Sequence, residues 1–239
     1  MKIVAINGSP KGKASNTNVM VTAFLKGAQA AGAETVNVYL AEKEIQHCKG
    51  CFSCWVNNPG QCVIKDDMEE IMSFKEGADI LVLATPLYFD NISGILKDFM
   101  DRSIVTGDPH VQKDSKGQYR HLKATEEQSP RLIMMANCGF PERSHFQVIS
   151  HWIKRVALNM HTEVIGEIYA AQGSLLTNQT ENLRPIISNY LQLLEKAGEE
   201  VVTTFRISEK TDKLLEQNFI PDEIYIQQAN SYFDTILKS

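Results

Sequence analysis

Short apolar runs alternate with longer amphipathic stretches along most of the chain, and this alternation is its main structural signal. Most of the runs are apolar at consecutive positions, which is typical of strands buried on both faces, and the stretches between them have helical spacing. Strands are predicted at residues 3–6, 35–40, 79–85, 131–137 and 161–170. Helices are predicted at residues 19–31, 68–76, 93–103, 144–159 and 180–204, with two more after residue 208, the second opening at Pro221 and Asp222.

Strands that alternate with helices predict an α/β fold in which a parallel sheet carries helices on both faces. There is no internal repeat, so the simplest account is one doubly wound domain over residues 1–205. A helical C-terminal extension, residues 206–239, is expected to pack on the same domain. Residues 107–129 are polar and show no periodicity, and they are predicted to form a long loop or insertion.

Composition excludes several classes of protein. Hydrophobic residues make up 43% of the 239 residues, an ordinary value for a folded domain. The net charge of −5, with no cluster of Lys and Arg, argues against a nucleic-acid partner. No apolar run approaches the roughly 20 residues that span a bilayer, so no membrane association is expected. The first residues lead directly into a strand without a signal-like segment, and the expected location is cytoplasmic.

Three polar loops follow predicted strands at their carboxyl ends, where ligands bind to doubly wound sheets. They comprise residues 9–18, 86–91 and 137–140. The first loop contains Gly8-Ser9-Pro10 and precedes a helix, an arrangement that favours phosphate binding. The chain lacks both the dinucleotide glycine fingerprint and the Walker lysine, so a phosphate monoester suits this loop better than a triphosphate. The alternative is an ordinary turn in which Asn16 or Thr17 caps the helix.

Four of the five cysteines form a compact group with the spacing C-x2-C-x2-C-x7-C: Cys48, Cys51, Cys54 and Cys62. Short C-x2-C steps suit an iron–sulfur cluster. Zinc and free or oxidised thiols are the alternatives, although ligands at both ends of such a run are awkward for one tetrahedral ion. The fifth, Cys138, is either a ligand contact or a small buried thiol.

The combination of motifs resembles the flavodoxin-like NAD(P)H-dependent FMN reductase superfamily over roughly residues 1–170. The cysteine spacing is similar to that of its iron-sulfur flavoprotein branch. The matching residues are Gly8-Ser9-Pro10, Ser15-Asn16-Thr17, Pro86-Leu87-Tyr88-Phe89, Leu96-Lys97, Phe99, Asp101 and Arg102. The resemblance implies a five-stranded sheet in the order 2-1-3-4-5.

The same resemblance implies an FMN site. Its phosphate would be bound by Ser9, Lys11, Ser15, Asn16 and Thr17. Its ring would be lined by Pro86, Leu87, Tyr88, Phe89, Asn91, Asn137, Cys138, Gly139 and Phe140. The four grouped cysteines, Cys48, Cys51, Cys54 and Cys62, would hold a 4Fe–4S cluster if the branch assignment is correct.

The activity implied is hydride transfer from NAD(P)H to FMN, followed by reduction of a quinone, nitro compound, flavin or protein acceptor. Because the flavin carries the redox chemistry, no side chain need act as a general acid or base. Members are generally homodimers or homotetramers, and residues 107–129 are then expected to act as a lid or dimer arm. The rival interpretation is a non-enzymatic electron carrier that uses FMN and a cluster.

Overall fold

The computed structural model describes residues 1–123, 125, 128–178 and 180–238. Within them the strands are β1 (Lys2–Asn7), β2 (Glu34–Tyr39), β3 (Ile80–Pro86), β4 (Val111–Lys113), β5 (Tyr119–His121), β6 (Arg131–Asn137) and β7 (Val164–Ala170). The helices are α1 (Asn16–Ala30), α2 (Ser53–Val56), α3 (Met68–Lys75), α4 (Gly94–Arg102), α5 (Gln147–Asn159), α6 (Arg184–Thr204), α7 (Glu209–Leu215) and α8 (Asp222–Leu237).

The main sheet contains five parallel strands in the order β2-β1-β3-β6-β7. This confirms the predicted α/β sheet with helices. The strand numbering differs from the predicted 2-1-3-4-5 because β4 and β5 form a separate antiparallel hairpin. That hairpin lies inside residues 107–129, the segment predicted to be a long loop or insertion, and its two strands were not predicted. Each of its strands has only three residues, too short a segment for a periodic pattern.

Alternate residues of the central strands face opposite layers, as the pleat requires. Ile3 and Ile80 point into one core with α1 and α6, whereas Val4 and Leu81 point into a second core with α3, α4 and α5. Because both faces are covered, β3 is buried from Ile80 to Thr85, which accounts for its unbroken apolar sequence.

The C-terminal helices extend the first core. Leu215, Phe219 and Tyr225 are buried within it, although most other residues of α8 are exposed. The division at residues 205 and 206 stays a prediction. Among the described residues, none of the helices combines the length and apolar character needed to cross a bilayer.

Helices α1 and α6 cross at glycine contacts. A Cβ atom at Gly27 would lie 1.8 Å from the Glu195 carbonyl oxygen, and one at Gly198 would lie 2.0 Å from the Phe24 carbonyl oxygen. These distances are far inside van der Waals contact, so no larger residue fits unless the helices separate. The close approach holds α1 against α6 and therefore fixes the position of the first loop.

Replacing Gly198 with Ala is expected to destabilise the protein by about 3 kcal/mol, because overpacking at a backbone contact must push the helices apart. Denaturant unfolding of the purified protein measures this difference. The control is Gly94→Ala, whose Cβ would meet nothing within 4 Å. It should change stability by less than about 1 kcal/mol, and in the favourable direction. Equal effects of the two variants would contradict the packing argument.

Candidate functional site

The first loop ends at Ser15, the N-cap of α1. Its hydroxyl accepts a hydrogen bond from the Asn18 amide at 3.0 Å and donates one to the Gly12 carbonyl at 2.7 Å. The alternative caps, Asn16 and Thr17, are already inside the helix. Helix α1 thus begins three residues earlier than predicted, because a polar first turn hides the start of the apolar pattern.

The amide N–H groups of Asn16 and Thr17 meet no acceptor within the part of the chain that the structure describes. The first turn of α1 carries no acidic side chain. Two free donors at the positive end of a fifteen-residue helix form an anion site, and they fit a terminal phosphate.

Ser9 and Lys11 complete the loop. Ser9 is buried, and its hydroxyl accepts the Lys11 amide at 3.4 Å. The Lys11 side chain is exposed and forms no ion pair with any described residue. Sequence reasoning missed Asn7, whose Oδ1 accepts the Ser9 amide at 3.2 Å and so shapes the turn. The available signal was a buried polar residue at the end of an apolar strand, and among the described residues its Nδ2 has no hydrogen-bond partner.

Hydrogen bonds join the three loops. Asn137 donates from Nδ2 to the Thr17 hydroxyl at 2.8 Å, and its carbonyl accepts the Leu87 amide at 2.8 Å. Asn137 and Thr17 are both buried. The structure therefore brings the three loops together at one edge of the sheet, as their positions after parallel strands predicted.

The second loop is a tight turn. The amides and carbonyls of Tyr88 and Asn91 bond to each other at 3.0 and 3.1 Å. The two residues between them, Phe89 and Asp90, have φ values of 48° and 56°. Phe89 is fully exposed, Tyr88 is about half exposed, and Pro86 and Leu87 are half-buried at the base.

The third loop places one aromatic ring at the surface. Phe140 is 53% exposed, and its ring lies flat on the imidazole of His145, with centroids 4.0 Å apart. The Gly139 carbonyl accepts the Tyr225 hydroxyl at 2.6 Å. Cys138 is buried, and burial raises the pKa of its thiol, which favours the small-buried-thiol interpretation. His145 also contacts Asp90 through Nδ1 at 2.7 Å, a link that the sequence did not reveal.

The four grouped cysteines line a single cavity of about 280 Å³. Cys48 and Cys51 are exposed, Cys62 is partly exposed, and Cys54 is buried. Burial raises the pKa of the Cys54 thiol, and the neighbouring thiols raise it further.

Among the described residues no three His, Cys, Asp or Glu side chains are grouped as they would be around one metal ion. A mononuclear zinc site would need all its sulfurs in one coordination sphere. A cubane cluster places each thiolate on a different iron, so its sulfurs stand farther apart. Four thiols around one cavity therefore fit a cluster as a donor set better than they fit zinc.

Arg102 lines this cavity and forms a buried ion pair with Asp66 behind it. Arg102 donates to Asp66 through Nη1 at 2.6 Å and Nη2 at 3.0 Å, and both side chains are nearly inaccessible. Burial opposes ionisation of Asp66, but hydrogen bonds from Arg102 and from the Gln46 and Met68 amides outweigh it. The pKa of this carboxyl therefore lies below its ordinary value.

The hairpin contacts the cysteine segment through Trp55. The indole Nε1 donates to the Ile104 carbonyl at 2.9 Å. The centroid of the Trp55 ring lies 5.3 Å from that of His121 in β5. Phe52 also stacks on Trp55, with ring centroids 5.3 Å apart. Ile104, just before the predicted insertion, and His121, inside it, thus both contact α2, while a lid or dimer-arm role stays a prediction.

A sequence model of one protein family, described as NADPH-dependent FMN reductase, matches residues 1–173. An iron-sulfur flavoprotein from Archaeoglobus fulgidus is 37% identical over 142 residues, which cover 59% of this chain and 58% of that protein. The chain spans about half the length of the first iron-sulfur flavoproteins that it matches.

Two further comparisons cover more of the chain. YwqN of Bacillus subtilis, whose name describes an NAD(P)H-dependent FMN-containing oxidoreductase, is 32% identical over 177 residues, 70% of this chain and 85% of that protein. The crystal structure of an FMN-dependent NADH-azoreductase from Bacillus anthracis, in complex with FMN, has a TM-score of 0.59 at 17% identity. It covers 84% of this chain and 99% of that one, a likeness that concerns the fold.

The Arg102–Asp66 pair predicts an acid-dependent loss of stability. Because the carboxyl pKa is lowered on folding, the pair stabilises the protein above the ordinary value of 3.8, and this contribution is lost as pH falls through the folded-state pKa. Asp66→Asn should therefore lose this part of the acid dependence. At pH 7 it should cost about 3–5 kcal/mol, because Arg102 stays buried without its counter-ion.

Urea unfolding between pH 3 and pH 7 measures both effects. The control is Arg102→Met combined with Asp66→Leu, which removes both charges and should recover most of the stability. If Asp66→Asn kept wild-type stability at neutral pH, the pair would not contribute as described.

Proposed function

The chain belongs to the NADPH-dependent FMN reductase family, and we propose that it is an FMN-dependent oxidoreductase that takes a hydride from NAD(P)H. Electrons would then pass to a quinone, nitro compound, flavin or protein acceptor. The observation that carries the proposal is the pair of free amides at Asn16 and Thr17 beside loops with exposed aromatic rings. The names of the relatives point to the same cofactor.

The first loop would hold the FMN phosphate. The amides of Asn16 and Thr17 would donate to phosphate oxygens, and the dipole of α1 would favour the negative charge. The Ser15 hydroxyl already donates to Gly12 and accepts from Asn18, so its part would be to form the loop. Lys11 would add charge at the rim.

The second and third loops would hold the ring. Residues of 86–91 and 137–140 would supply backbone polar groups and aromatic surface around it. When bound, FMN accepts a hydride from the nicotinamide and passes electrons to the acceptor. The residues of this chain would bind and orient the cofactor, and none is required to move a proton.

We further propose that the protein acts as a homodimer or homotetramer. Exposed apolar side chains on α8 support this assembly because large apolar groups on one helix are costly in water. They are Ile224, Ile226, Tyr232, Phe233, Ile236 and Leu237.

A second candidate function is electron carriage with a 4Fe–4S cluster at Cys48, Cys51, Cys54 and Cys62. The observation that favours it is the single cavity lined by all four thiols, together with relatives named iron-sulfur flavoproteins. Thiolates of these residues would bind the irons, and the buried guanidinium of Arg102 would offset the negative charge of the site.

A proline at position 16 tests the phosphate site with little disturbance of the helix. Asn16 is the first residue of α1, where proline is favoured, and Ser15 has the extended backbone that a following proline requires. Asn16→Pro removes one free N–H and should raise the dissociation constant of FMN by about tenfold or more, as expected for a charge-assisted hydrogen bond. Titration of the FMN-free protein measures this constant.

The matched control is Asn16→Ala, which keeps the N–H and should retain most of the affinity. Riboflavin, which lacks the phosphate, should bind weakly to wild type and equally to both variants. Unchanged FMN affinity in Asn16→Pro would show that the phosphate lies elsewhere.

Anaerobic purification followed by rapid mixing with NADPH or NADH separates the two candidate functions. The oxidoreductase proposal predicts direct bleaching of the flavin absorption by one of the two donors. The carrier proposal predicts reduction only through a protein donor, together with about four irons and four sulfides per chain. In the carrier case Cys51→Ser should lower the iron content, whereas Cys138→Ser should leave it unchanged.

A further inference from the structure

We propose that His145 is a positioning residue of the candidate FMN site, which holds the tip of the second loop against the third. This inference rests on the proposed function, because it concerns how the ring-binding loops are kept in place. The His145 clamp is defined here as His145 with its two contacts, Asp90 and Phe140. None of the three side chains is required by the fold of the sheet.

The tip of the second loop has an unfavourable backbone conformation. Phe89 and Asp90 are consecutive residues with side chains, yet both have left-handed φ values, 48° and 56°. Residues other than glycine rarely adopt this region, and such conformations persist only where the surrounding structure imposes them. Glycine would be the ordinary choice at either position.

The base and the tip of this loop are held by different contacts. At the base, the Leu87 amide donates to the Asn137 carbonyl at 2.8 Å. At the tip, the Asp90 carboxylate contacts His145 Nδ1 at 2.7 Å. The other ring nitrogen of His145 faces Glu142 at 3.6 Å, so two carboxylates flank one imidazole. The clamp therefore adds a side-chain contact at the tip to the backbone bonds between Tyr88 and Asn91 that close the turn.

The imidazole also orients an aromatic ring of the third loop. Its plane lies 14° from that of Phe140, with centroids 4.0 Å apart, and only 23% of the His145 side chain is exposed. One side chain thus contacts both the ring of the third loop and the carboxylate at the tip of the second loop. Holding the two loops in place before the ligand arrives lowers the entropic cost of binding a planar group.

The decisive variant is Asp90→Gly. Glycine adopts the left-handed conformation without penalty, so the free energy of unfolding of the FMN-free protein should stay equal or increase. The carboxylate is lost, however, and the dissociation constant of FMN should rise by about tenfold. The visible circular dichroism of bound FMN should also change, because its ring would lie in a different environment. A purely structural role predicts that stability and affinity fall together.

Three matched variants separate the contacts of the clamp. Asp90→Asn keeps an acceptor oxygen and tolerates the left-handed backbone, so it should bind FMN nearly as wild type does. His145→Phe keeps the stacking but loses the bond to Asp90, and His145→Asn keeps a donor but loses the ring. Both His145 variants should weaken FMN binding. Adding Asp90→Gly to His145→Phe should cause little further loss of affinity, because the bond between the two residues is already absent.

Wild-type FMN affinity and circular dichroism in both Asp90→Gly and His145→Phe would overturn the inference while leaving the proposed function intact. Absence of FMN binding by the wild-type protein would overturn both. Loss of affinity in Asp90→Gly at unchanged stability would support the clamp.

Discussion

The hydrogen bond from Asn137 to Thr17 is the contact on which the candidate site depends. It joins two buried side chains that are 120 residues apart in the sequence, one at the end of β6 and one in the first turn of α1. A buried amide donor without a partner is costly, so this pairing selects one position of the helix relative to the strand. Through the carbonyl of the same Asn137 the second loop is held as well.

Helix α4 connects this site to the cysteine cavity. Ser93, its N-cap, donates to the Gly8 carbonyl, and Arg102, its last residue, lines the cavity and pairs with Asp66. Nine residues of helix span about 13 Å. The candidate FMN loops and the cysteine cavity are thus positioned by the two ends of one rigid element, and each end is buried and hydrogen-bonded.

The fold could be predicted from the sequence because the central strands of the sheet are buried on both faces, so each is an apolar run that is recognisable by itself. The convergence of the three loops could be predicted because each follows a parallel strand, and the carboxyl ends of parallel strands lie at the same edge of the sheet. The Arg102–Asp66 pair and the His145–Asp90 contact were not accessible, because each joins residues that are distant in sequence and individually unremarkable. The hairpin was not predicted because strands of three residues are too short to show a periodic pattern. Its contact with Trp55 could not be predicted either, because it depends on tertiary packing.

The glycine crossing of α1 and α6 has a consequence for synthesis of the protein. The family match ends at residue 173, yet α6, which covers the first helix, begins only at Arg184. A nascent chain that has just completed β7 has every strand of the main sheet, but the side of α1 that packs on α6 is still exposed to solvent or to chaperones. Completion of this layer during synthesis therefore waits for a segment outside the residues that match the family model, and a chain that stops before it exposes apolar surface that favours aggregation.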